Sequence, residues 1–306
     1  MKKEFVLSAI FTISFLTFGF LLLHYDLVGY GISFFVFLPF ILGYLLGNAK
    51  VKSASFMGLV FSFVCFCFGL IIGELEGMVC ILMALPIIGF FVAIGYALKA
   101  IFNALFSSKK SSTDNDDILD DNQLKSTILP FLIFATVGMV EKQFLLNADE
   151  VVAVDSAIVL PYSPLQVYNA IKSVDTLDAE KPFLMQLDLP IPQKCILEEE
   201  KVGGIRTCYF EGGTIVEKVS ELEKGKILRM DVIDYQLTGR TWLGFQEAIY
   251  TFEALPNGHC KMIRTTTYTS HLYPRAYWKP LEQMGIEQEH QYVFRNLEKD
   301  LAQIHQ

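Results

Sequence analysis

The stretch IRTCYFEGGTIVEKVSELEKGKILRMDV, residues 205–232, alternates between apolar and polar side chains and contains two glycine turns. Such alternation indicates β-strands, because successive side chains of a strand point to opposite faces of the sheet. Gly212-Gly213 and Lys224-Gly225 are short turn sequences of the kind that join antiparallel strands. The stretch therefore predicts three antiparallel strands with one mostly apolar face.

The first turn places two charged side chains on that apolar face. With Gly212-Gly213 as a two-residue turn, Cys208 faces Glu217 and Arg206 faces Val219, so Arg206 and Glu217 are diagonal neighbours. The turns Lys224-Gly225 and Asn257-Gly258 predict further pairs on the same principle. The expected partners are Val219 with Met230, Glu217 with Val232, Phe252 with Ile263, Tyr250 with Thr265, and Ala248 with Thr267.

The rest of the C-terminal half completes an α+β domain. Val151–Leu160 is predicted to be a strand, and Ser163 followed by Pro164 is a typical helix start. Leu177–Pro192 is expected to form a short helix and a loop. Tyr277–Ile304 is predicted to be a long amphipathic helix, because its apolar side chains recur at helical spacing. The expected fold class is an antiparallel sheet of six or seven strands wrapped around this C-terminal helix.

The N-terminal half is predicted to cross a membrane. Four stretches have about the 20 apolar residues that a span requires, and none contains an acidic residue: Phe5–Leu23, Leu27–Leu46, Phe56–Gly73 and Met78–Phe102. Thr127–Leu146 is a candidate fifth span, with an interfacial helix as the alternative. The predicted domains are four transmembrane helices in 1–106, a polar linker in 107–126, the fifth span in 127–146 and a ligand-binding domain in 147–306.

Lysine residues indicate the orientation of the spans. Lys2 and Lys3 precede the first span, Lys50 and Lys52 follow the second, and Lys109 and Lys110 follow the fourth, whereas the alternate loops contain neither Lys nor Arg. We expect a multi-pass protein of a bacterial inner membrane with a cytoplasmic N-terminus. A fifth span would place the C-terminal domain outside the cytoplasm, and an interfacial helix would leave it inside.

Charge and cysteine content exclude some functions. Residues 1–146 contain 9 Lys, no Arg and 10 acidic residues, which leaves 16 of the 25 basic and 23 of the 33 acidic residues to the rest. A C-terminal domain with this acidic excess has no basic surface for nucleic acid. The six cysteines contain no CxxC pair and are expected to be buried free thiols. No metal-ligand spacing and no nucleotide-binding motif occurs, so neither a metal nor a cofactor is expected.

The order of elements resembles the helix-grip fold of the START and polyketide cyclase-like (SRPBCC) superfamily, over roughly Val151–Gln303. The residues that carry the resemblance are Leu160-Pro161-Tyr162-Ser163-Pro164 with Val167-Tyr168, Gly203-Gly204-Ile205-Arg206 with Phe210 and Gly212, Glu217-Lys218-Val219, and Tyr268 with Leu272, Pro274, Tyr277 and Trp278. The resemblance implies a cavity between sheet and last helix for lipids, polyketides or other apolar molecules. It implies no fixed catalytic set.

The candidate ligand-binding residues are Arg206, Glu217, Met230, Tyr235, Trp242, Tyr250 and Tyr268. Inside a cavity, Arg206 and Glu217 would orient the polar end of a ligand; at the rim they would form an ion pair of structural value only. The aromatic residues would present an apolar body and a polar tip to a ligand, or would serve as ordinary core.

The main hypothesis is a membrane-anchored binding or transfer module for a hydrophobic ligand such as a lipid, pigment or quinone-like molecule. Two alternatives stay open. One is a cyclase or dehydratase-type enzyme using Glu217, Arg206 or Tyr268 as acid and base, although no catalytic set is assigned. The other is a structural or stress-related membrane protein whose cavity is filled by its own side chains.

Overall fold

The structure, a computed structural model, describes residues 2–46, 52–106, 121–144, 150–187, 189–237 and 242–304. Two compact units divide the chain. One is built mainly from residues 1–147 and is helical, and the other is built mainly from residues 148–306 and is α+β.

The helical unit contains five α-helices and one π-helical turn among its described residues: α1 (Lys2–His24), the π-helical turn (Ser33–Phe37), α2 (Leu38–Leu46), α3 (Lys52–Ile72), α4 (Met78–Phe106) and α5 (Asp121–Phe144). Aromatic rings hold α1 against α5, where Phe15 packs on Phe131 and Phe134 with ring centroids 4.7 and 5.9 Å apart. Three helical stretches are long and apolar enough to cross a membrane: Phe5–His24, Ser53–Ile72 and Met78–Leu105. Three of the four predicted spans therefore have a matching helix.

The helix at the predicted second span, Leu27–Leu46, is shorter than expected, and its crossing of the membrane stays a prediction. The apolar helical segment there is only Ser33–Leu46, which is about 21 Å long at 1.5 Å per residue. Its start is fixed by Glu141 of α5, whose carboxylate accepts hydrogen bonds from the backbone N–H groups of Ile32 at 2.5 Å and Ser33 at 2.7 Å. A Cβ atom at Gly31 would lie 2.5 Å from that carboxyl group, so the glycine permits the close approach.

The predicted linker and fifth span meet a helix that starts earlier than expected. Residues 107–120 of the linker lie outside the described part of the chain, whereas residues 121–126 already belong to α5. The helix runs to Phe144, and residues 145–146 of the predicted span are not described. A membrane crossing by α5 stays a prediction.

The C-terminal unit is an antiparallel sheet of seven strands in the order β1-β7-β6-β5-β4-β3-β2. The strands are β1 (Val152–Leu160), β2 (Pro192–Leu197), β3 (Ile205–Phe210), β4 (Gly213–Glu223), β5 (Ile227–Leu237), β6 (Leu243–Ala254) and β7 (Cys260–Ser270). Three helices complete the unit: α6 (Pro164–Ile171), α7 (Phe183–Gln186) and α8 (Arg275–Ile304). Helix α6 starts just after Ser163, with Pro164 in its first turn, as the sequence predicts, and the structure adds a capping box between Ser163 and Gln166.

Two of the three predicted hairpin registers are wrong. One is shifted by two residues and the other by one, and only the shift by one changes the face on which side chains lie. At the first turn Phe210 pairs with Gly213, so Arg206 lies directly opposite Glu217 rather than diagonal to it. This shift of two residues keeps every side chain on its predicted face. The hairpin at Lys224-Gly225 has the predicted pairs, including Val219 with Met230.

The hairpin at Asn257-Gly258 is shifted by one residue. Ala254 pairs with Cys260, and Leu255 and His259 are joined by a backbone hydrogen bond of 2.8 Å, so the connection is longer than two residues. Tyr250 therefore faces Arg264 instead of Thr265. A shift of one residue moves a whole strand's side chains to the other face, and it brings Arg264 and Thr266 into the interior.

The buried face of the sheet packs against α8 around one apolar core. Residues of α8 in this core are Tyr292, Val293, Phe294, Leu297 and Leu301, and residues of the sheet include Val219, Leu228, Met230, Ala248, Tyr250, Phe252 and Met262. The fold class expected from the sequence is confirmed: a curled antiparallel sheet with a long C-terminal helix follows an apolar helical region.

The expectation that all cysteines are free is wrong for one pair. Cys195 of β2 and Cys208 of β3 are directly opposite each other in the ladder and form a disulfide bond, with their Cα atoms 4.0 Å apart. Sequence spacing did not reveal the pair because the pairing of β2 with β3 brings the residues together. The other four cysteines are free thiols, but only Cys260 is buried as expected; Cys65 is exposed, and Cys67 and Cys80 are partly buried.

Candidate functional site

The interior of the C-terminal unit contains an ion pair on its apolar face. The Nη1 atom of Arg206 donates to Oε2 of Glu217 at 2.8 Å, and Nη2 donates to the carbonyl oxygen of Ile171 at 3.4 Å. Only 2% of Arg206 and 5% of Glu217 is exposed. The pair is therefore an interior ion pair and not one at the rim of the sheet.

A second arginine lies beside the first, and Tyr250 contacts both. The Cζ atoms of Arg206 and Arg264 are 5.7 and 5.5 Å from the centroid of the Tyr250 ring. Arg264 binds Glu289 of α8, with Nη2 at 2.8 Å from Oε2 and 3.1 Å from Oε1. Two guanidinium groups on one aromatic ring, each paired with one carboxylate, form the polar centre of this interior.

Both guanidinium groups stay positively charged in this setting. Burial alone would lower the pKa of Arg206, but the neighbouring Tyr250 and Glu217 outweigh it and raise that pKa. Burial likewise opposes the charge on Arg264, and Glu289 and Tyr250 raise its pKa above the ordinary value. The polar centre thus contains two cations balanced by two carboxylates.

His290 of α8 adds a neutral group next to Arg264. Its Nε2 lies 2.8 Å from Oγ1 of Thr266, and its Nδ1 lies 2.9 Å from Oγ of Ser156. Burial, reinforced by the positive charge of Arg264, lowers the pKa of His290 to about 2. The imidazole is therefore neutral at physiological pH, and it ties α8 to strands β1 and β7.

Tyr268 belongs to a separate hydrogen-bonded group near the start of α8. Its hydroxyl donates to Oε2 of Glu282 at 3.0 Å, and the hydroxyl of Ser270 donates to Oε1 at 2.6 Å. All three residues are buried. Tyr268 also packs with Val152 and other apolar side chains, so it does not join the polar centre around Tyr250.

The remaining predicted site residues are Met230, Tyr235 and Trp242. Met230 is fully buried in the main core. Tyr235 packs edge-on against Phe245, with ring centroids 5.9 Å apart, and its hydroxyl donates to the carbonyl oxygen of Leu243 at 2.7 Å. Trp242 is partly buried and packs against the apolar cluster of Tyr268. Of the seven predicted residues, the structure brings Arg206, Glu217 and Tyr250 into direct contact.

Sequence reasoning missed Arg264, Glu289 and His290. The assumed two-residue turn at Asn257-Gly258 assigned Arg264 to the outer face of the sheet. The apolar side chains of Cys260 and Met262, two residues apart, indicated the correct face, because Arg264 continues the same alternation.

The segment between α6 and β2 is fastened to α8. Oδ1 of Asn296 accepts hydrogen bonds from the backbone N–H groups of Asp178 and Ala179 at 2.7 and 2.8 Å. Oε1 of Gln288 accepts one from Leu184 at 2.8 Å, and the Tyr292 hydroxyl donates to the carbonyl oxygen of Leu177 at 2.8 Å. These bonds hold the segment over the edge of the core.

Comparison with known proteins gives matches in structure only. No protein family and no curated protein matches the sequence. The solved structures that match the C-terminal half include a START superfamily protein from Mycobacterium smegmatis, with 10% identity over 50% of this chain and 98% of that one, and a TM-score of 0.38. The Zhui aromatase/cyclase from Streptomyces sp. R1128 has 11% identity over 51% and 97%, with a TM-score of 0.37.

A third match is Ara h 8.0201, with 13% identity over 50% of this chain and 99% of the other, and a TM-score of 0.34. All three TM-scores are below 0.5. The description of the fold therefore rests on this chain's own strand order, register and C-terminal helix.

Removing one member of the interior ion pair is expected to destabilise the C-terminal unit. Glu217→Ala leaves Arg206 buried without its carboxylate, which costs about 3–5 kcal/mol, whereas the double variant Arg206→Met, Glu217→Leu recovers most of the loss. Both tryptophans of the chain, Trp242 and Trp278, lie in this unit, so tryptophan fluorescence during urea unfolding reports its stability. Additive losses in the double variant would contradict the interior pairing.

His290 is expected to make the C-terminal unit sensitive to acid. Its folded-state pKa of about 2 lies below the ordinary 6.5, so below pH 6.5 the unfolded chain binds a proton that the folded chain does not. The free energy of unfolding therefore falls as the pH decreases from 6.5, by up to about 1.4 kcal/mol per pH unit from this group.

The exchange His290→Gln removes this dependence, and it is measured as a flatter slope of unfolding free energy against pH between 6.5 and 4.5. His259→Gln, beside the turn between β6 and β7, is the matched control for the loss of an imidazole outside the interior. An unchanged slope in His290→Gln would show that this imidazole is protonated in the folded state.

Proposed function

We propose that the C-terminal unit binds a hydrophobic ligand between the buried face of its sheet and α8, and that the apolar helices anchor it to a membrane. The observation that carries the proposal is the interior around Tyr250, where two charged pairs lie within a mostly apolar core. An interior designed only for stability gains little from buried ion pairs, because desolvation offsets their attraction. A ligand that is apolar along its length and polar at one end uses both features.

The proposed ligand contacts combine the predicted residues with those the structure adds. Met230 contributes apolar surface in the main core, and Tyr250 contributes an aromatic ring with a hydroxyl group. Arg206 and Glu217 orient the polar end. Trp242 and Tyr268 add aromatic surface near the start of α8, and Tyr235 adds a ring packed against Phe245. Binding is driven by removal of the ligand's apolar surface from water, at about 25 cal/mol per Å².

The segment fastened to α8 by Asn296, Gln288 and Tyr292 serves in this proposal as the closure of the interior. Its bonds join backbone groups of the segment to side chains of one helix. Opening would release these hydrogen bonds, each with a net value of about 1 kcal/mol, and expose Leu177 and Met185 of the core, without unfolding the sheet.

Copurification from the membrane tests whether the C-terminal unit binds a hydrophobic ligand. Native mass spectrometry of the full-length protein, purified in mild detergent, is expected to show a bound species that is released by denaturation and competed by a total lipid extract. The single-residue variant Ile233→Asp, on an exposed position of β5, is the control and is expected to retain the same species. Ligand binding would be refuted if the spectrum shows only the mass of the protein itself and the lipid extract displaces no bound species.

We further propose that the C-terminal unit lies outside the cytoplasm of a bacterial cell. The disulfide between Cys195 and Cys208 supports this, because such bonds form and persist in oxidising compartments. A crossing by α5 gives the same result when the N-terminus is cytoplasmic and the short apolar helix Ser33–Leu46 also crosses the membrane. The position of lysines in the loops supports that orientation.

Protease added to intact spheroplasts tests the side of the membrane. The C-terminal unit is expected to be digested from outside, while an epitope inserted in the polar linker 107–126 stays protected until the membrane is permeabilised. Permeabilised spheroplasts are the control in which both are digested. Protection of the C-terminal unit in intact spheroplasts, with digestion only after permeabilisation, would place it in the cytoplasm and reduce α5 to an interfacial helix.

A further inference from the structure

Arg264 has buried hydrogen-bond donors that the protein itself does not use. Its Nη2 atom serves Glu289, whereas its Nε and Nη1 atoms have no hydrogen-bond partner among the described residues. These two atoms carry three of the five N–H bonds of the guanidinium group. The residue is only 9% exposed. Buried polar groups are nearly always hydrogen-bonded, so such donors indicate a missing acceptor.

The neighbouring arginine leaves a donor in the same region. Nε of Arg206 is also buried and without a partner among the residues described. Tyr250 contacts both guanidinium groups, whose Cζ atoms lie 5.7 and 5.5 Å from the centroid of its ring. Strands β3 and β7 therefore each contribute an arginine with unused donors beside the same tyrosine.

The charges near this ring limit which chemical group the unused donors can bind. Glu217 neutralises Arg206, and Glu289 neutralises Arg264, so no positive charge is left for which a counter-ion is required. The adjacent imidazole of His290 is uncharged and already bonded to Thr266 and Ser156. What is lacking is an acceptor atom, and a cationic group would meet only the edges of two guanidinium groups.

We propose that Arg264, together with Nε of Arg206, binds the oxygen-bearing end of the hydrophobic ligand, a carbonyl oxygen that lies against Tyr250. This inference rests on the proposed function and adds the chemistry of the ligand's polar end. The ligand's apolar remainder extends along the core residues of the sheet, and Arg264 selects against ligands without an acceptor and against amines.

The test compares four probes that share one chain length and differ at one end. Radiolabelled oleate is bound to the full-length protein in detergent, and methyl oleate, (Z)-9-octadecene and oleylamine are used as competitors. Oleate and methyl oleate are expected to bind, and octadecene and oleylamine at least about tenfold more weakly, because a hydrogen bond to a charged donor is worth about that factor. Methyl oleate is expected to bind at least as tightly as oleate, because both arginines are already neutralised and a neutral carbonyl oxygen supplies the acceptor.

Variants locate the effect at the arginine. Arg264→Met is expected to weaken oleate about tenfold or more while it leaves the affinity for octadecene within about twofold. Arg229→Gln is the matched control, because Arg229 forms its ion pairs with Glu221 and Glu247 at a half-exposed position of β5, and its affinities are expected to equal those of the unmodified chain. Arg264→Lys keeps a cation for Glu289 and is expected to lose most of the preference for oleate.

Three outcomes overturn the inference, and they are distinguishable from failure of the proposed function. Octadecene binding as tightly as oleate means that the donors are satisfied by water alone. Oleylamine binding as tightly as oleate contradicts the acceptor chemistry. An equal loss of affinity for all probes in a folded Arg264→Met protein indicates a structural role. Absence of binding by every probe refutes the proposed function itself. If Arg264→Met does not fold, the ranking of probes by the unmodified protein decides.

Discussion

The seven-stranded sheet buries one face, and the C-terminal helix α8 covers that face. The arrangement of the polar centre around Tyr250 depends on this burial. Burial of one face fixes the register of every strand, since a slip of one residue would exchange inner and outer side chains. The inner positions of β3, β4, β6 and β7 then bring Arg206, Glu217, Tyr250 and Arg264 together. The helix supplies the remaining carboxylate, Glu289, and its Leu297 and Leu301 seal the apolar part of the core.

The polar centre is unusual because the same apolar packing that stabilises the domain makes its charges expensive. Each guanidinium group is paired, yet pairing satisfies only part of its donors, and a buried donor without an acceptor costs about 1–3 kcal/mol. Proteins tolerate such a cost where it serves a function more often than where it does not. Purely structural groups of this unit contrast with it: His290 bonds to side chains of two strands, and Asn296 bonds to the backbone of the loop and of α8.

Sequence reasoning was sufficient for the fold class and for part of the site, for physical reasons that particular residues illustrate. Alternation identified the strands around Glu217 and Met230, because one-sided burial leaves a period of two. The strand registers at the turns were predicted less well. At Asn257-Gly258 an error of one residue assigned Arg264 to the wrong face of the sheet, whereas an error of two residues at Gly212-Gly213 left Arg206 on the correct face. The disulfide of Cys195 and the shortened second span depend on contacts between distant residues, which local patterns do not encode.

The central claim is that the interior beside Tyr250 is occupied by a ligand whose oxygen completes the donors of Arg264. An experimental structure of the full-length protein purified from its native membrane, at a resolution that separates water from bound molecules, tests this most directly. The account predicts elongated non-protein density between the sheet and α8, ending in an atom within about 3 Å of Nε or Nη1 of Arg264. An interior filled by the protein's own side chains, with only single waters on the arginine, would contradict it.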